Sequence, residues 1–228
     1  ARDYKRAGDG DVGPNTGGMG ACAPAPGMTA ALEETIARRI VAPVLAAMAR
    51  HESAFRGVLY CGLMLRPDGP RVVEFNVRLG DPEAQVVLPL IQGDILELLD
   101  ATARGALGDY LQGLPDAEVP GPATWPGHGM TDWTRHCVVV VGASPGYPGR
   151  YTPGAQLSLP PDGADRWIIQ AGTALREDRL VTAGGRVIGA VAEAPSLGSA
   201  RRAAYEHLGE VGCEALYWRR DIANEARH

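Results

Sequence analysis

Lysine is almost absent from this sequence. Of 22 basic residues, 21 are arginine and Lys5 stands alone. Lys5 is therefore either a chance survivor or a position where a compact ammonium does what a planar guanidinium cannot. Cysteine is sparse too: Cys22, Cys61, Cys137 and Cys213 lie far apart, with no C-x-x-C pair. That spacing excludes the usual zinc and dithiol redox motifs. Cys61 and Cys137 fall in apolar runs and read as buried thiols, and a reducing, cytoplasmic setting is expected. The five histidines form no H-E-x-x-H or comparable cluster. Basic charge is not in excess, since the net charge is −5. No nucleic-acid partner is expected from that balance. No apolar run approaches the roughly 18 residues of a membrane-spanning helix, and no charged-then-apolar leader opens the chain, so no membrane partner is expected. The chain starts at Ala1 and enters a motif almost at once, which reads as a sequence without its natural start.

What is present is an ordinary globular composition, 45% hydrophobic and 21% charged over 228 residues, enough for one or two domains. Residues 1–28 read as loop. Thr29 is placed to cap a helix running to about Arg50, with Leu32, Ile36, Ile40, Val44 and Met48 at helical spacing and a kink or break at Pro43. "RPDGPR" is a turn between two β-prone runs, giving a hairpin of Val58–Leu65 with Arg71–Asn76. Asp81-Pro82-Glu83 has the order of an N-cap, a first-position proline and a first-turn acid. A helix then follows, restarted at Gly93-Asp94. Residues 106–135 lose periodicity, and a connection over 108–135 divides a first α+β unit, 1–107, from a smaller β-rich one, 136–228. In the latter, "HCVVVVGA" is a buried strand, short strands fall near Trp167–Gln170, Arg179–Thr182 and Val187–Ala194, and Ser199 to Val211 is helical.

The stretch that points to chemistry is "VVEFNVRLGDPEAQ", residues 72–85. Strand alternation sets Glu74 and Asn76 on one face and Val73, Phe75 and Val77 on the other, with Arg78 following on the polar side. A carboxylate and a neutral carbonyl oxygen suit Mg²⁺, which takes oxygen donors and shares its shell with water and nucleotide phosphates. Arg78 can pair with a phosphate by charge-assisted hydrogen bonds. An edge strand with a solvated polar face has the same pattern. The helix start behind it favours an anion.

"DVGPNTGGMG", residues 11–20, crowds glycine at 13, 17, 18 and 20 around Asn15 and Thr16. It is neither a P-loop nor G-x-G-x-x-G. Bare backbone approaches a ligand closely, and successive free N–H groups form an anion-binding nest. Lys5 and Arg6 lie just upstream. A mobile linker is the other reading, although linkers run to Ser and Gly rather than Pro, Asn and Met.

"DYKRAGDGDVGPNTGGMGACAPAP", "GVLYCGLM" and "VVEFNVRLGDPEAQ" resemble the phosphoribosylamine–glycine ligase family of ATP-grasp enzymes, and "SPGYPGRYTPG", "QAGTAL", "VTAGGRVIGAVA" and "WRRDI" follow in that family's order. The resemblance covers nearly the whole chain. It implies an α+β fold: the C-terminal part of an ATP-grasp domain, an antiparallel sheet with helices, over 1–107, a connection over 108–135, and the ligase C-terminal domain over 136–228. It implies ATP-dependent joining of glycine to 5-phosphoribosylamine, with Mg²⁺ or Mn²⁺ held by Glu74 and Asn76. Arg78 and Asp81 would be catalytic, Arg78 facing phosphate and Asp81 either capping its helix or holding a substrate amine. Lys5, Arg6, Asn15, Thr16, Gly17, Gly18 and Met19 would bind substrate.

The chain departs from the family at Cys22-Ala23, Leu79, Ser144-Pro145 and Gln170, changes expected to repack the surroundings. "GVLYCGLML" also lacks the acid many ATP-grasp enzymes carry on that strand. The family's N-terminal substrate domain and ATP lid have no counterpart in these residues. The chain is thus expected to be inactive alone, with the missing N-terminal part of the same enzyme as its partner. A different ATP-grasp carboxylate–amine ligase and a non-catalytic binding module that keeps the fold are the alternatives.

Overall fold

The structure is a computed structural model that describes residues 1–51, 54–112, 130–132 and 134–224. In chain order its elements are β1 (Arg2–Asp3), β2 (Arg6–Gly8), β3 (Val12–Asn15), β4 (Gly20–Ala23), α1 (Ala30–Ile36), a π-helical stretch (Ala37–Val41), α2 (Ala42–Arg50), β5 (Tyr60–Arg66), β6 (Gly69–Asn76), α3 (Ala84–Val87), a 3₁₀ turn (Leu88–Leu90), α4 (Ile95–Arg104), α5 (Leu107–Gln112), β7 (His136–Ala143), β8 (Arg166–Gln170), β9 (Thr173–Arg176), β10 (Arg179–Thr182), β11 (Arg186–Ala194) and α6 (Leu197–Gly209). This is an α+β chain with antiparallel sheets.

Two compact units form, one from Ala1–Pro26, Asp81–Leu90 and Thr134–His228, the other from Gly27–Gly80 and Ile91–Trp133. They do not follow the linear division at 108–135. Residues 1–26 and 81–90 are drawn to the C-terminal segment by pairing of β4 with β7 and packing of α3 on β4 and β7. Within the expected connection, residues 113–129 and 133 lie outside the described residues.

The first unit is built on a five-stranded sheet in the order β1-β4-β7-β11-β8. β7 is apolar without alternation because both its faces are covered. On one side α6 lays Ala200 and Ala204, both fully buried, against the sheet, and those small side chains let the helix come close. On the other, Val86 and Leu90 pack over Val139 and Val191. α6 begins at Leu197, two residues before the expected Ser199, because Ser196 caps it, its side chain accepting from the Ser199 N–H.

Residues 1–28 are not simply loop, since they contribute four short strands. Ala21 and Cys22 are fully buried in register with Val139 and Val138. A Cβ on Gly20 would lie 2.6 Å from the Val139 carbonyl oxygen, so only glycine permits this approach. Cys22 and Ala23, two of the departures from the family pattern, therefore sit inside the sheet core.

In the second unit Thr29 caps α1, accepting from the Leu32 N–H. The break expected at Pro43 is spread over a π-helical stretch, and Pro43 sits in the first turn of α2. Proline offers no N–H to the Arg39 carbonyl, and the wider turn, with the Ala42 N–H donating to the Ala37 carbonyl, accommodates that gap. Asp94 caps α4 through the N–H groups of Leu96 and Glu97, and Gly105 ends it in the left-handed region at φ 75°.

Candidate functional site

The β5–β6 hairpin places Tyr60 opposite Asn76, Cys61 opposite Phe75 and Gly62 opposite Glu74. Register is regular through these three pairs and shifts only beyond Gly62, so Glu74 and Asn76 share one face. Glu74 is exposed and Asn76 half-buried. A Cβ at Gly62 would lie 2.9 Å from the Glu74 Cγ, and that missing methyl leaves the carboxylate room to lie across the strand pair. Among the described residues no group of three or more His, Cys, Asp or Glu is arranged to hold a metal ion. Two hard oxygen donors on an accessible face nonetheless fit Mg²⁺, whose remaining positions are ordinarily filled by phosphate and water. Arg78, exposed, donates to the Leu79 carbonyl at 2.9 Å.

Asp81 does not cap a helix. The helix begins at Ala84, and its N-cap residue, Glu83, makes no side-chain capping bond. A stronger partner has claimed the Asp81 carboxylate: Arg186 donates to Oδ2 at 2.7 Å and to Oδ1 at 3.1 Å, and Gln85 donates to Oδ1 at 3.0 Å. A bidentate guanidinium–carboxylate pair outcompetes a backbone cap.

The glycine loop is not a nest of free N–H groups. Thr16 N–H donates to the Lys5 carbonyl, Gly17 N–H to the Tyr147 hydroxyl, Gly18 N–H to the Thr16 hydroxyl and Met19 N–H to the Tyr4 carbonyl. Its bare backbone serves close packing against the protein itself. A Cβ on Gly18, at φ 114°, would lie 2.3 Å from Pro82 Cδ, and one on Gly17 would lie 3.0 Å from the Arg186 guanidinium carbon. Asn15 is exposed and Thr16 half-buried, while Met19 is fully buried in the core and contributes packing. Arg6 donates to the Gly13 carbonyl, and Lys5 reaches toward Asp3 at 3.8 Å.

A buried arginine frames this region. Arg219 is fully buried, yet it donates to both carboxylate oxygens of Asp221, to Asp11 and to the Arg6 carbonyl, each at 2.8 to 3.0 Å. Asp221 accepts in addition from the Gly10 N–H, and Asp9 from the Arg220 N–H. The "WRRDI" segment thus clasps the β2–β3 hairpin that leads into the loop. Burial alone would raise the Asp221 carboxyl, but Arg219 and the Gly10 N–H hold it down to about 2.

Asp3, beneath the loop, behaves oppositely. Burial first, and the Glu83 carboxylate second, push its carboxyl up to about 7, against the pull of Lys5 and Arg186. The unfolded chain releases this proton near 3.8. Between about pH 4 and about pH 7 the folded state therefore holds the extra proton, and stability falls as pH rises through that window. Asp3→Asn is expected to flatten this decline, read as thermal midpoints at about pH 5 and about pH 8.

Residues 1–84 match the family model described as phosphoribosylglycinamide synthetase, ATP-grasp (A) domain, and residues 137–225 match phosphoribosylglycinamide synthetase, C domain. The chain is 38% identical over 224 residues to phosphoribosylamine–glycine ligase of Caldanaerobacter subterraneus subsp. tengcongensis, covering 98% of this chain and 49% of that protein. The chain thus spans about half the length of that relative. The crystal structure of phosphoribosylamine–glycine ligase from Thermotoga maritima superposes with a TM-score of 0.79 at 34% identity, over 97% of this chain and 50% of that one. The biotin carboxylase domain of 2-oxoglutarate carboxylase from Hydrogenobacter thermophilus shares the fold alone, with a TM-score of 0.56 at 12% identity over 88% of this chain and 40% of that one. The chain belongs to the phosphoribosylglycinamide synthetase family, carrying sequence of its ATP-grasp (A) domain and its C domain.

Proposed function

We propose that this chain serves, as part of a longer polypeptide, the ATP-dependent joining of glycine to 5-phosphoribosylamine, giving glycinamide ribonucleotide, ADP and phosphate. The observation that carries the assignment is the pairing of Glu74 and Asn76 on one strand face, within a sequence of this family. Along the sequence, residues 1–107 serve as the ATP-grasp portion and 136–228 as the C-terminal domain, joined through 108–135, while in the fold 1–26 and 81–90 pack into the unit formed by the C-terminal segment. Glu74 and Asn76 hold Mg²⁺ (or Mn²⁺), which when bound neutralises charge on the nucleotide's terminal phosphates. Arg78 pairs with phosphate oxygen. Lys5, Arg6 and the loop of Asn15, Thr16, Gly17 and Gly18 serve the substrate end, with Met19 fastening the loop to the core.

The order of bond changes is the acyl-phosphate route that the family resemblance implies. A glycine carboxylate oxygen attacks the γ-phosphorus of ATP and ADP leaves. The sugar amine then attacks the acyl carbon, and phosphate departs with that carboxylate oxygen. Such chemistry depends on holding reactants in place and stabilising phosphoryl charge.

The partner is the N-terminal part of the same enzyme. In its support, Met64, Val73, Phe75 and Val77 on and just beyond the hairpin are 57%, 66%, 41% and 73% exposed, an apolar concentration that further chain would cover. A reducing, cytoplasmic location accords with four unpaired cysteines, and no helix among the described residues is long and apolar enough to cross a membrane. The test compares the complete ligase carrying this sequence with the 228-residue chain. The complete enzyme is expected to form glycinamide ribonucleotide, identified by mass, and the chain alone to release no glycine-dependent ADP. Glycine-dependent ADP release by the chain alone would overturn the partner assignment. ATP consumption by the complete enzyme with a different acid–amine pair, and not with this one, would overturn the substrates.

A further inference from the structure

Gly17 is held from both sides by residues far away in sequence. Its N–H donates to the Tyr147 hydroxyl at 3.0 Å, across 130 positions, and its carbonyl accepts from Arg186 at 2.9 Å, across 169. These two residues are themselves fixed together. The Tyr147 ring lies against Gly185, where a Cβ would come within 2.3 Å of Cδ2. Ser144 N–H donates to the Gly185 carbonyl and the Ser144 hydroxyl to the Gly184 carbonyl, so the turn bearing Tyr147 is tied to the segment bearing Arg186. Arg186 in turn spans to both oxygens of Asp81. Its side chain is 23% exposed against 55% for Asp81, so the guanidinium is the more enclosed partner.

We propose that Tyr147 and Arg186 are positioning residues for the glycine loop. Together they fix the Gly17 peptide, and through it the presentation of Asn15 and Thr16, so that the C-terminal domain shapes the substrate end of the site. The inference rests on the ligase assignment for its kinetic part only. Neither residue touches the reacting atoms; both act through Gly17. A guanidinium is required at 186 because one group must reach the Gly17 carbonyl and two carboxylate oxygens at once. An ammonium, with one nitrogen, cannot span that set.

The first arm needs no assumption about function. In the 228-residue chain, hydrogen exchange of the Gly17 amide is expected to quicken about tenfold in Tyr147→Phe, which removes only the accepting hydroxyl. Exchange of the Met19 amide, bonded to Tyr4, should be unchanged. Gly185→Ala, which displaces the ring, should reproduce the effect. Unchanged Gly17 exchange in both variants overturns the pinning. The second arm uses the complete ligase. Tyr147→Phe and Arg186→Lys are expected to raise KM for glycine or 5-phosphoribosylamine about tenfold while KM for ATP moves less than about twofold, with Arg186→Ala worse than Arg186→Lys. Equal change in all three KM values, or none, overturns the kinetic role even if the loop has loosened. Were the wild-type enzyme to ligate neither substrate, the function assignment would fall while the exchange result stood.

Discussion

Arg219→Ala is expected to cost this chain about 3–5 kcal/mol, because removing one partner of a buried ion pair strands the other. The loss is unusually well defined at this position. Arg219 is fully buried, and its four polar contacts would leave Asp221 and Asp11 close together without their shared cation. Against a total stability of about 5–15 kcal/mol, such a loss unfolds a large fraction of molecules at elevated temperature. Arg219→Lys recovers part of it at most, since one ammonium cannot replace a bidentate fork. The neighbouring arginine is the control: Arg220 is exposed, and the structure uses its backbone rather than its side chain, so Arg220→Ala is expected to stay within about 0.5 kcal/mol. Urea unfolding of the three variants measures the series. Acid should act on the same clasp. The Asp221 carboxyl, held down to about 2, contributes stability that is present above its unfolded value near 3.8 and is lost as pH falls through about 2.

Glu74→Ala is expected to act on chemistry rather than folding. Glu74 is exposed on the hairpin, so the truncation is expected to leave stability within about 0.5 kcal/mol. In the complete ligase it removes the only carboxylate of the proposed metal pair. We expect kcat to fall by about 10²–10³-fold, the range for losing one preorganised electrostatic contact at a transferring group. The Mg²⁺ concentration needed for half-maximal rate should rise as well. Steady-state rates over a magnesium titration check both, and an unaltered magnesium dependence would remove Glu74 from the metal.

Those two residues differ in how far the sequence announces them. The shared face of Glu74 and Asn76 follows from the two-residue period of a strand, a local property, and the "RPDGPR" turn fixes where that strand starts. β7, a continuous apolar run, and the helix restart at Gly93-Asp94 are legible because their signals too are local. Arg219 and Arg220 are indistinguishable as neighbours in "WRRDI"; only pairing with residues some 210 positions away buries one of them. The strands within residues 1–28 are two to four residues long and broken by Gly and Pro; β4 exists because β7 offers it a partner, β1 pairs in turn with β4, and β2 and β3 pair with each other. β9 escapes notice because its turn to β10 uses Glu177 and Asp178 at φ 49° and 59°, where glycine would have given the signal. At Asp81 the local helix-start pattern is genuine, but a distant guanidinium takes the carboxylate first. The glycine loop is the instructive case. Its composition correctly marks close backbone approach, while the surfaces approached are Pro82 and Arg186 of the same chain.

The most direct measurement follows the carboxylate oxygens of glycine. The complete ligase is supplied with ATP, 5-phosphoribosylamine and glycine carrying ¹⁸O in its carboxylate. If the carboxylate is phosphorylated and then displaced by the amine, each phosphate released carries one ¹⁸O, detectable by mass or by its phosphorus resonance. Phosphate free of label, with glycine consumed and product formed, would contradict phosphorylation of glycine and with it the role proposed for Glu74, Asn76 and Arg78.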